Sequence, residues 1–365
     1  MEKMYIRQAY KNFVSYFAFL FLLISCNQQS SAVKTDIINP EIITEPLPHD
    51  TDDPAIWIDS LNPEKSLVLG TDKDSLGGLY VFTLEGKIDS FRSVRGLKRP
   101  NNVDVEYGLL LAGRLTDIAV VTERFTHKLR IYSLPDMKPI DNGGIEVFVG
   151  ESLPEYRDLM GIGLFRNSDG KIYAIVGRKT GPVDGSYLWQ YLLEDDSSGN
   201  VKATFVRKFG KYSGLKEIES IAVDDALGYV YYSDEGVGVR KYYADPQAGD
   251  QELGMFANEG FTEDNEGISI FTLTDSTGYI LVSDQGANKF HIFPREGIAG
   301  NPHQHPLIKI INVAATQSDG SEITNHPLNK KFSKGIFVVM SDDKTFHYYT
   351  PEKILGDSLF NPLKN

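Results

Sequence analysis

The feature that most constrains the fold of this chain is a repeat of roughly 50–60 residues, a length typical of propeller blades. Six times, a strand-like apolar stretch ends at two charged or amide side chains. These pairs are Asp72-Lys73, Glu123-Arg124, Arg178-Lys179, Asp234-Glu235, Asp284-Gln285 and Asp342-Asp343. After each pair, a further strand-like stretch closes on an aromatic residue. Units of this length built from short strands are the blades of a propeller. The sequence therefore predicts an all-β fold, a six-bladed β-propeller.

The direction of the chain predicts where the polar residues of each unit lie. In unit two, for example, Val103–Tyr107 reads as the first strand and Asp117–Thr122 as the second. Within the second, the run from Ile118 to Val121 is apolar on both faces, which indicates burial between neighbouring blades. Because the second strand returns antiparallel to the first, residues before strand one and after strand two meet on one face of the disc.

Oxygen-bearing side chains recur at these two positions. Those before or at the start of the first strands are Asp52, Asp53, Asn102, Asp104, Glu219, Glu266 and Asp319, and those after the second strands include Glu235, Gln285 and Asp342. Crowded carboxylates repel one another unless a cation neutralises them. Oxygen ligands without His or Cys favour calcium or magnesium, and calcium tolerates ligands from separate blades best. We therefore expect several bound calcium ions on this face.

Basic residues follow the second strands of units one to three, namely Lys73, Arg124 and Lys179. Ammonium and guanidinium groups beside such a metal site are the usual means of holding phosphate. The acidic, calcium-binding side chains and these basic side chains on the same face together predict binding of a polyanionic phosphate.

The overall charge excludes some partners. A net charge of -13 argues against nucleic acid and against a polybasic membrane surface. The single cysteine, Cys26, excludes a disulfide framework and a thiolate metal site. We expect a monomer that binds a small molecule.

The N-terminal residues predict export. Arg7 and Lys11 precede an apolar run, residues 13–24, that is too short to span a bilayer. Leu23-Ile24-Ser25-Cys26 resembles a bacterial lipobox, although an ordinary signal peptide with an unrelated cysteine is an open alternative. We expect a lipoprotein signal peptide over 1–26 with lipidation at Cys26, a polar tether over 27–48 and the propeller over 49–365. The protein would then be held in the cell envelope, in the periplasm or at the bacterial outer membrane, and would touch the membrane only through its lipid.

Two segments resemble the signatures of a known family. HDTDDPAIWID (His49 to Asp59) and NNVDVEYG (Asn101 to Gly108) are similar to those of the β-propeller phytases, the calcium-dependent alkaline phytases of bacteria. GLYVFTLEGK, EDNEGISIF and GYILVSDQGANKF fit the same family, and the resemblance runs from about Glu45 to the C-terminus. It implies hydrolysis of phytate (myo-inositol hexakisphosphate), with release of inorganic phosphate by attack of calcium-activated water.

The resemblance also implies residue roles. Asp53, Asn102 and Asp104 would hold one calcium at the substrate face. The other calcium ions would be held by Glu219, Glu235, Asp264, Glu266, Gln285 and Asp319. Lys73, Arg124 and Lys179 would grip substrate phosphates, and the catalytic set would be Asp53, Asp104, Glu219 and Asp319.

The chain departs from the family pattern at several of these positions. Glu106 replaces a basic residue, Asp74 replaces a second lysine, and Met160 replaces a calcium-binding tyrosine. The segment from Asn312 to Gln317 supplies no carboxylate. These departures keep a second hypothesis open, a calcium-stabilised propeller that binds polyanions with weak or no turnover. A third, a propeller hydrolase of lactones, is disfavoured because no histidine recurs with the blades.

Overall fold

The computed structural model describes residues 36–362. The predicted signal peptide, the lipobox with Cys26 and residues 27–35 lie outside this range. No helix among the described residues is long and apolar enough to cross a membrane.

Six small sheets form the body of the protein, and their strands follow one another along the chain. Two short strands come first, β1 (Ile37–Ile38) and β2 (Ile42–Ile43). Blade one contains β3 (Thr51–Trp57), β4 (Leu67–Asp72), β5 (Gly77–Phe82) and β6 (Val94–Leu97). Blade two contains β7 (Pro100–Leu111), β8 (Arg114–Glu123), β9 (Lys128–Leu134), β10 (Lys138–Pro139) and β11 (Ile145–Glu146). Blade three contains β12 (Leu159–Arg166), β13 (Ile172–Arg178), β14 (Leu188–Asp195) and β15 (Val201–Phe209).

The remaining blades repeat this plan. Blade four contains β16 (Ile221–Asp224), β17 (Tyr229–Asp234), β18 (Gly238–Tyr243) and β19 (Gly254–Phe256). Blade five contains β20 (Asn265–Thr272), β21 (Gly278–Asp284), β22 (Lys289–Pro294) and β23 (Lys309–Val313). Blade six contains β24 (Ser321–Thr324), β25 (Ile336–Ser341) and β26 (Thr345–Tyr349). Two short helices, α1 (Pro351–Leu355) and α2 (Asp357–Phe360), end the described chain. The six-bladed propeller predicted from the sequence is confirmed.

The hydrophobic core is divided among the six interfaces between neighbouring blades. On β8, the side chains of Ile118 and Val120 join the cluster shared with blade three. Ala119 and Val121 join the cluster shared with blade one. All four side chains are fully buried. A middle strand is therefore apolar on both faces because both faces pack against other sheets.

The N-terminal strands close the ring. Blade six has three strands of its own, and β2 pairs antiparallel with its outer strand β26. The strand β1 pairs parallel with β23 on the edge of blade five. The sequence analysis assigned residues 27–48 to a polar tether, but residues 36–48 belong to the propeller. The reason is that β2 supplies the fourth strand that blade six lacks, and β1 adds a fifth strand to the open edge of blade five.

Recurring β-bulges shape the start of the innermost strands. In blades one, two, three and five, the pairing register shifts at this point, so that two residues oppose one on the second strand. The doubled residues include Asp52-Asp53 and Asn101-Asn102. Consecutive side chains of a strand point to opposite faces, and a bulge changes their aim locally. The two side chains of each pair therefore have different neighbours.

Hydroxyl groups next to the bulges tie neighbouring blades together. Thr122 donates to the carbonyl of Met160 in blade three over 2.7 Å. Ser233 donates to the carbonyl of Glu266 in blade five over 2.8 Å. A Cβ on Gly161 would lie 2.1 Å from the carbonyl oxygen of Glu219, so glycine is required for this approach. These contacts fix the spacing of the segments that carry the acidic side chains.

Candidate active site

The starts of the inner strands and the ends of the second strands meet at an open cleft of about 800 Å³. Predicted site residues that line it are Lys73, Lys179, Glu219, Glu235, Asp264, Glu266, Gln285 and Asp319. Side chains that are far apart in sequence thus converge on one face.

The ammonium of Lys73 lies at the centre of one group of acids. Its Nζ is 2.5 Å from Asp52 Oδ1, 3.0 Å from Asp319 Oδ2 and 3.9 Å from Glu219 Oε1. Burial raises the pKa of Asp52, and the nearby Glu219 charge raises it further. Burial alone would raise the pKa of Glu219, but Lys73 and Arg124 outweigh it and the pKa falls below its ordinary value. The Lys73 ammonium and the Arg124 guanidinium therefore favour the charged form of Glu219.

Asn101 joins the same group, although the sequence analysis selected its neighbour Asn102. Its Nδ2 donates to Asp52 Oδ2 over 3.2 Å and to Glu219 Oε1 over 3.1 Å. Asn101 is fully buried. Its amide therefore holds the two carboxylates in place at the floor of the cleft.

A second group of acids surrounds Glu235. Carboxylate oxygens of Glu217, Glu219 and Glu235 lie within 4.8 Å of one another, and the same holds for Glu235, Asp264 and Glu266. Burial and the charge of Glu219 raise the pKa of Glu235 to about 9. Burial and the charge of Glu235 raise the pKa of Glu266 well above its ordinary value. The crowding of these buried carboxyls therefore disfavours their charged forms unless a cation neutralises them.

The donor set of this second group fits a hard divalent cation. Glu235 Oε1 and Glu266 Oε2 are buried and have no hydrogen-bond partner among residues 36–362. Unpaired buried carboxylate oxygens are costly, and a cation would satisfy them. Asp and Glu oxygens without nitrogen or sulfur ligands suit calcium or magnesium. Glu235 is common to both clusters and could bridge two ions.

The other predicted basic residues lie in different surroundings. Lys179 lines the cleft, is half-exposed, and contacts Glu217 Oε2 over 2.8 Å. Arg124 is buried and donates from Nε to the carbonyl of Leu159 over 3.1 Å. Lys179 is thus placed to reach a molecule in the cleft, whereas Arg124 supplies positive charge beneath it.

Asp53, Asn102 and Asp104 lie in a different place from the cleft. They line the axial channel, a cavity of about 520 Å³. Asp53 Oδ2 accepts from the Val103 amide over 3.1 Å, and burial raises the pKa of Asp53 well above its ordinary value. Burial also raises the pKa of Asp104 to about 7. Alternation along these bulged strands accounts for the division, since Asp52 and Asn101 lie with Glu219 below the cleft while the next residue on each strand lines the channel.

Further acids continue down the channel. Glu106, the residue that replaces a basic family position, lines it together with Asp225 and Glu322. Burial and the charge of Asp225 raise the pKa of Glu106 to about 9. A carboxyl that keeps its proton can form a hydrogen bond with Asp225, which makes this departure compatible with the fold.

Two other expected positions do not contribute side chains to the cleft lining. Met160 is buried, and its carbonyl accepts the Thr122 hydroxyl. Asp342 is exposed and accepts a short hydrogen bond from the Thr316 hydroxyl. Thr316 belongs to the segment 312–317 that the sequence analysis found to lack carboxylates.

Lys216, Glu217 and Asn101 are among the site residues that the sequence analysis missed. Lys216 and Glu217 both line the cleft, and Asn101 lies below it. The alternation Glu217-Ile218-Glu219 was a usable signal, because residues two apart in an extended segment point the same way. Nothing in the sequence distinguishes Lys216 from a solvated lysine in a loop.

The fold and this cleft define a class: six-bladed propellers with an acidic cleft and adjacent lysines at one end of the channel. The family model described as Phytase matches residues 13–348. The 3-phytase of Bacillus subtilis (strain 168) is 28% identical over 302 residues, which cover 80% of this chain and 74% of the relative. The chain therefore belongs to the phytase family, as its signature segments predicted.

Proposed function

We propose that this protein is a calcium-dependent phosphomonoester hydrolase that acts on phytate and releases inorganic phosphate. The observation that carries the proposal is the convergence of Glu219, Glu235, Glu266 and Asp319 with Lys73 in one open cleft. Family membership and the similarity to a 3-phytase support the choice of substrate.

Each group in the cleft has a physical task in such a reaction. Glu235, Asp264 and Glu266 would hold calcium, with Glu219 and Asp319 beside them. Bound calcium would neutralise charge on the phosphoryl oxygens and lower the pKa of an attacking water. Lys179 would donate hydrogen bonds to substrate phosphate from its exposed position.

The remaining residues keep this arrangement rigid. Asn101 orients the Asp52 and Glu219 carboxylates through its two hydrogen bonds. Lys73 neutralises the acids that surround it. In the reaction, water oxygen bonds to phosphorus, the ester P–O bond breaks, and the inositol oxygen takes up a proton.

A second candidate function is a calcium-stabilised propeller that binds polyanions with weak or no turnover. The surroundings of Arg124 and Asp342 favour it, because both side chains were expected on this face and neither lines the cleft. This hypothesis shares the calcium sites and the lysines, and it differs in predicting no phosphate release.

Phosphate release from phytate tests the proposal. The purified protein is assayed at millimolar calcium from neutral to alkaline pH, with and without a chelator. We expect release that the chelator abolishes and that Glu219→Gln reduces strongly. Glu252→Gln is the control, since Glu252 pairs with Arg240 outside the cleft. Absence of release together with a calcium-dependent rise in Tm would favour the second candidate.

We also propose export and lipid anchoring at Cys26, with the protein acting as a monomer in the cell envelope. The lipobox-like Leu23-Ile24-Ser25-Cys26 supports it. Labelling cells with a radioactive fatty acid is the test, with Cys26→Ser as the comparison. Equal labelling of the two proteins would contradict the anchor.

A further inference from the structure

We propose that Lys216 is a tethered counter-ion. Its ammonium pairs with the Asp264 carboxylate when the neighbouring acids hold no divalent cation. When a cation binds to these acids, the ammonium turns to a substrate phosphate. The role in substrate binding rests on the function proposed above, whereas the role toward the cation does not.

The geometry of Lys216 shows direct competition for one ligand. Its Nζ lies 2.5 Å from Asp264 Oδ1 and 2.6 Å from Oδ2. Both oxygens of Asp264 are thus engaged by one ammonium. The oxygens of Asp264 also belong to the cluster with Glu235 and Glu266. A cation bound by an Asp264 oxygen would repel the Lys216 ammonium and compete with it for this carboxylate.

The side chain of Lys216 can leave Asp264, because it is half-exposed while the Lys216 backbone is held in place. The Tyr212 hydroxyl donates a short hydrogen bond to the Lys216 carbonyl. The side chain of Lys216 is 50% exposed, whereas that of Lys73 is 14% exposed. Lys73 is therefore enclosed by the acids it neutralises, but Lys216 can leave Asp264 without opening the fold.

The displaced ammonium has a destination within the cleft. Lys216 and Lys179 both line it, and both are half-exposed. A phosphate bound between them would accept charge-assisted hydrogen bonds from each. Cation and polyanion would then bind cooperatively, because the cation releases the lysine that the polyanion requires. Such a coupling is reciprocal, so the polyanion would also strengthen cation binding.

Calorimetric titration of the metal-free protein with calcium tests the first step. We compare wild type, Lys216→Met, Lys216→Arg and the control Lys211→Met, since Lys211 pairs with Glu252 outside the cleft. Without the competing ammonium, Lys216→Met is expected to bind calcium about tenfold more tightly, within the usual range of coupling between sites. Lys216→Arg and Lys211→Met are expected to keep the wild-type Kd. An unchanged or weaker Kd in Lys216→Met overturns the proposal.

Titration of the calcium-loaded protein with myo-inositol hexakissulfate, a non-hydrolysable analogue, tests the second step. We expect Lys216→Met to bind it about tenfold more weakly and Lys216→Arg to bind it normally, by the same coupling argument. Equal binding by Lys216→Met and wild type overturns the substrate role. A protein that shows both effects but releases no phosphate from phytate would refute the proposed hydrolase and leave this inference standing.

Discussion

Replacing Glu235 by glutamine should stabilise the metal-free protein and weaken its response to calcium. Glu235 is buried, and its pKa is raised from 4.5 to about 9. Because this carboxyl binds its proton more tightly in the folded state, it makes the folded protein less stable as pH rises from 4.5 toward 9. Glutamine resembles the protonated carboxyl, so it avoids this loss.

At pH 7, the free energy of unfolding gained by Glu235→Gln depends on the interval between the ordinary pKa of 4.5 and pH 7, because the raised pKa of Glu235 lies above pH 7. Each pH unit of this interval costs about 1.4 kcal/mol, so the stabilisation by Glu235→Gln has an upper limit of about 3.5 kcal/mol. At about 2.1 cal/mol/K per residue, unfolding of roughly 330 residues has an entropy of about 0.7 kcal/mol/K. The expected rise in Tm is therefore up to about 5 °C.

Differential scanning calorimetry at pH 5, 7 and 8.5, with chelator and then with millimolar calcium, measures both effects. We expect the metal-free Tm of Glu235→Gln to exceed that of wild type most at the higher pH values. The calcium-induced gain should be smaller in the variant, since a ligand that binds the native state adds stability by mass action. Glu252→Gln should instead lose stability and keep the full calcium response. A metal-free variant less stable than wild type, or one with an unchanged calcium shift, would refute the reasoning.

Three further predictions follow from single residues. Lys179→Ala should raise KM for phytate at least about tenfold by removing a charge-assisted hydrogen bond, while calorimetry shows a stability change within about 0.5 kcal/mol; equal losses would mean a structural role. Arg295 holds the buried Asp224 through two 2.6 Å contacts, so urea unfolding of Arg295→Met should show a loss of about 3–5 kcal/mol, and a loss below 1 kcal/mol would contradict this. Burial lowers the pKa of Lys241 from 10.5 to about 8, so stability should rise with pH between these values by up to about 3 kcal/mol; Lys241→Met should lack that rise in urea titrations across this pH range.

The propeller could be predicted from sequence because each blade repeats a middle strand that is apolar on both faces. Ile118 to Val121 show this pattern, and both faces of β8 pack against neighbouring sheets. The closing strands could not be found in this way. Ile37–Ile38 and Ile42–Ile43 are two residues long, too short for any alternation to appear, and their pairing depends on edges supplied from the other end of the chain.

The site was predicted as a face but not in its division into cleft and channel. Asp52 and Asp53 are adjacent on the bulged start of one strand, where alternation and the register shift together set which way each side chain points. A bulge depends on the pairing of two strands, so it leaves no mark on one strand read alone. Lys216 was missed for a similar reason, since its partner Asp264 comes from another blade.

Ring closure by N-terminal strands places the open edges of the last two blades at the start of the described chain. The second of these strands, β2, lies at the outer edge of blade six. It is attached by a few backbone hydrogen bonds, such as those from Glu41 to Tyr348 and from Thr44 to Phe346. A pull on the chain before residue 36 would therefore load β1 on blade five first and β2 on blade six next, at outer edges whose residues do not line the cleft.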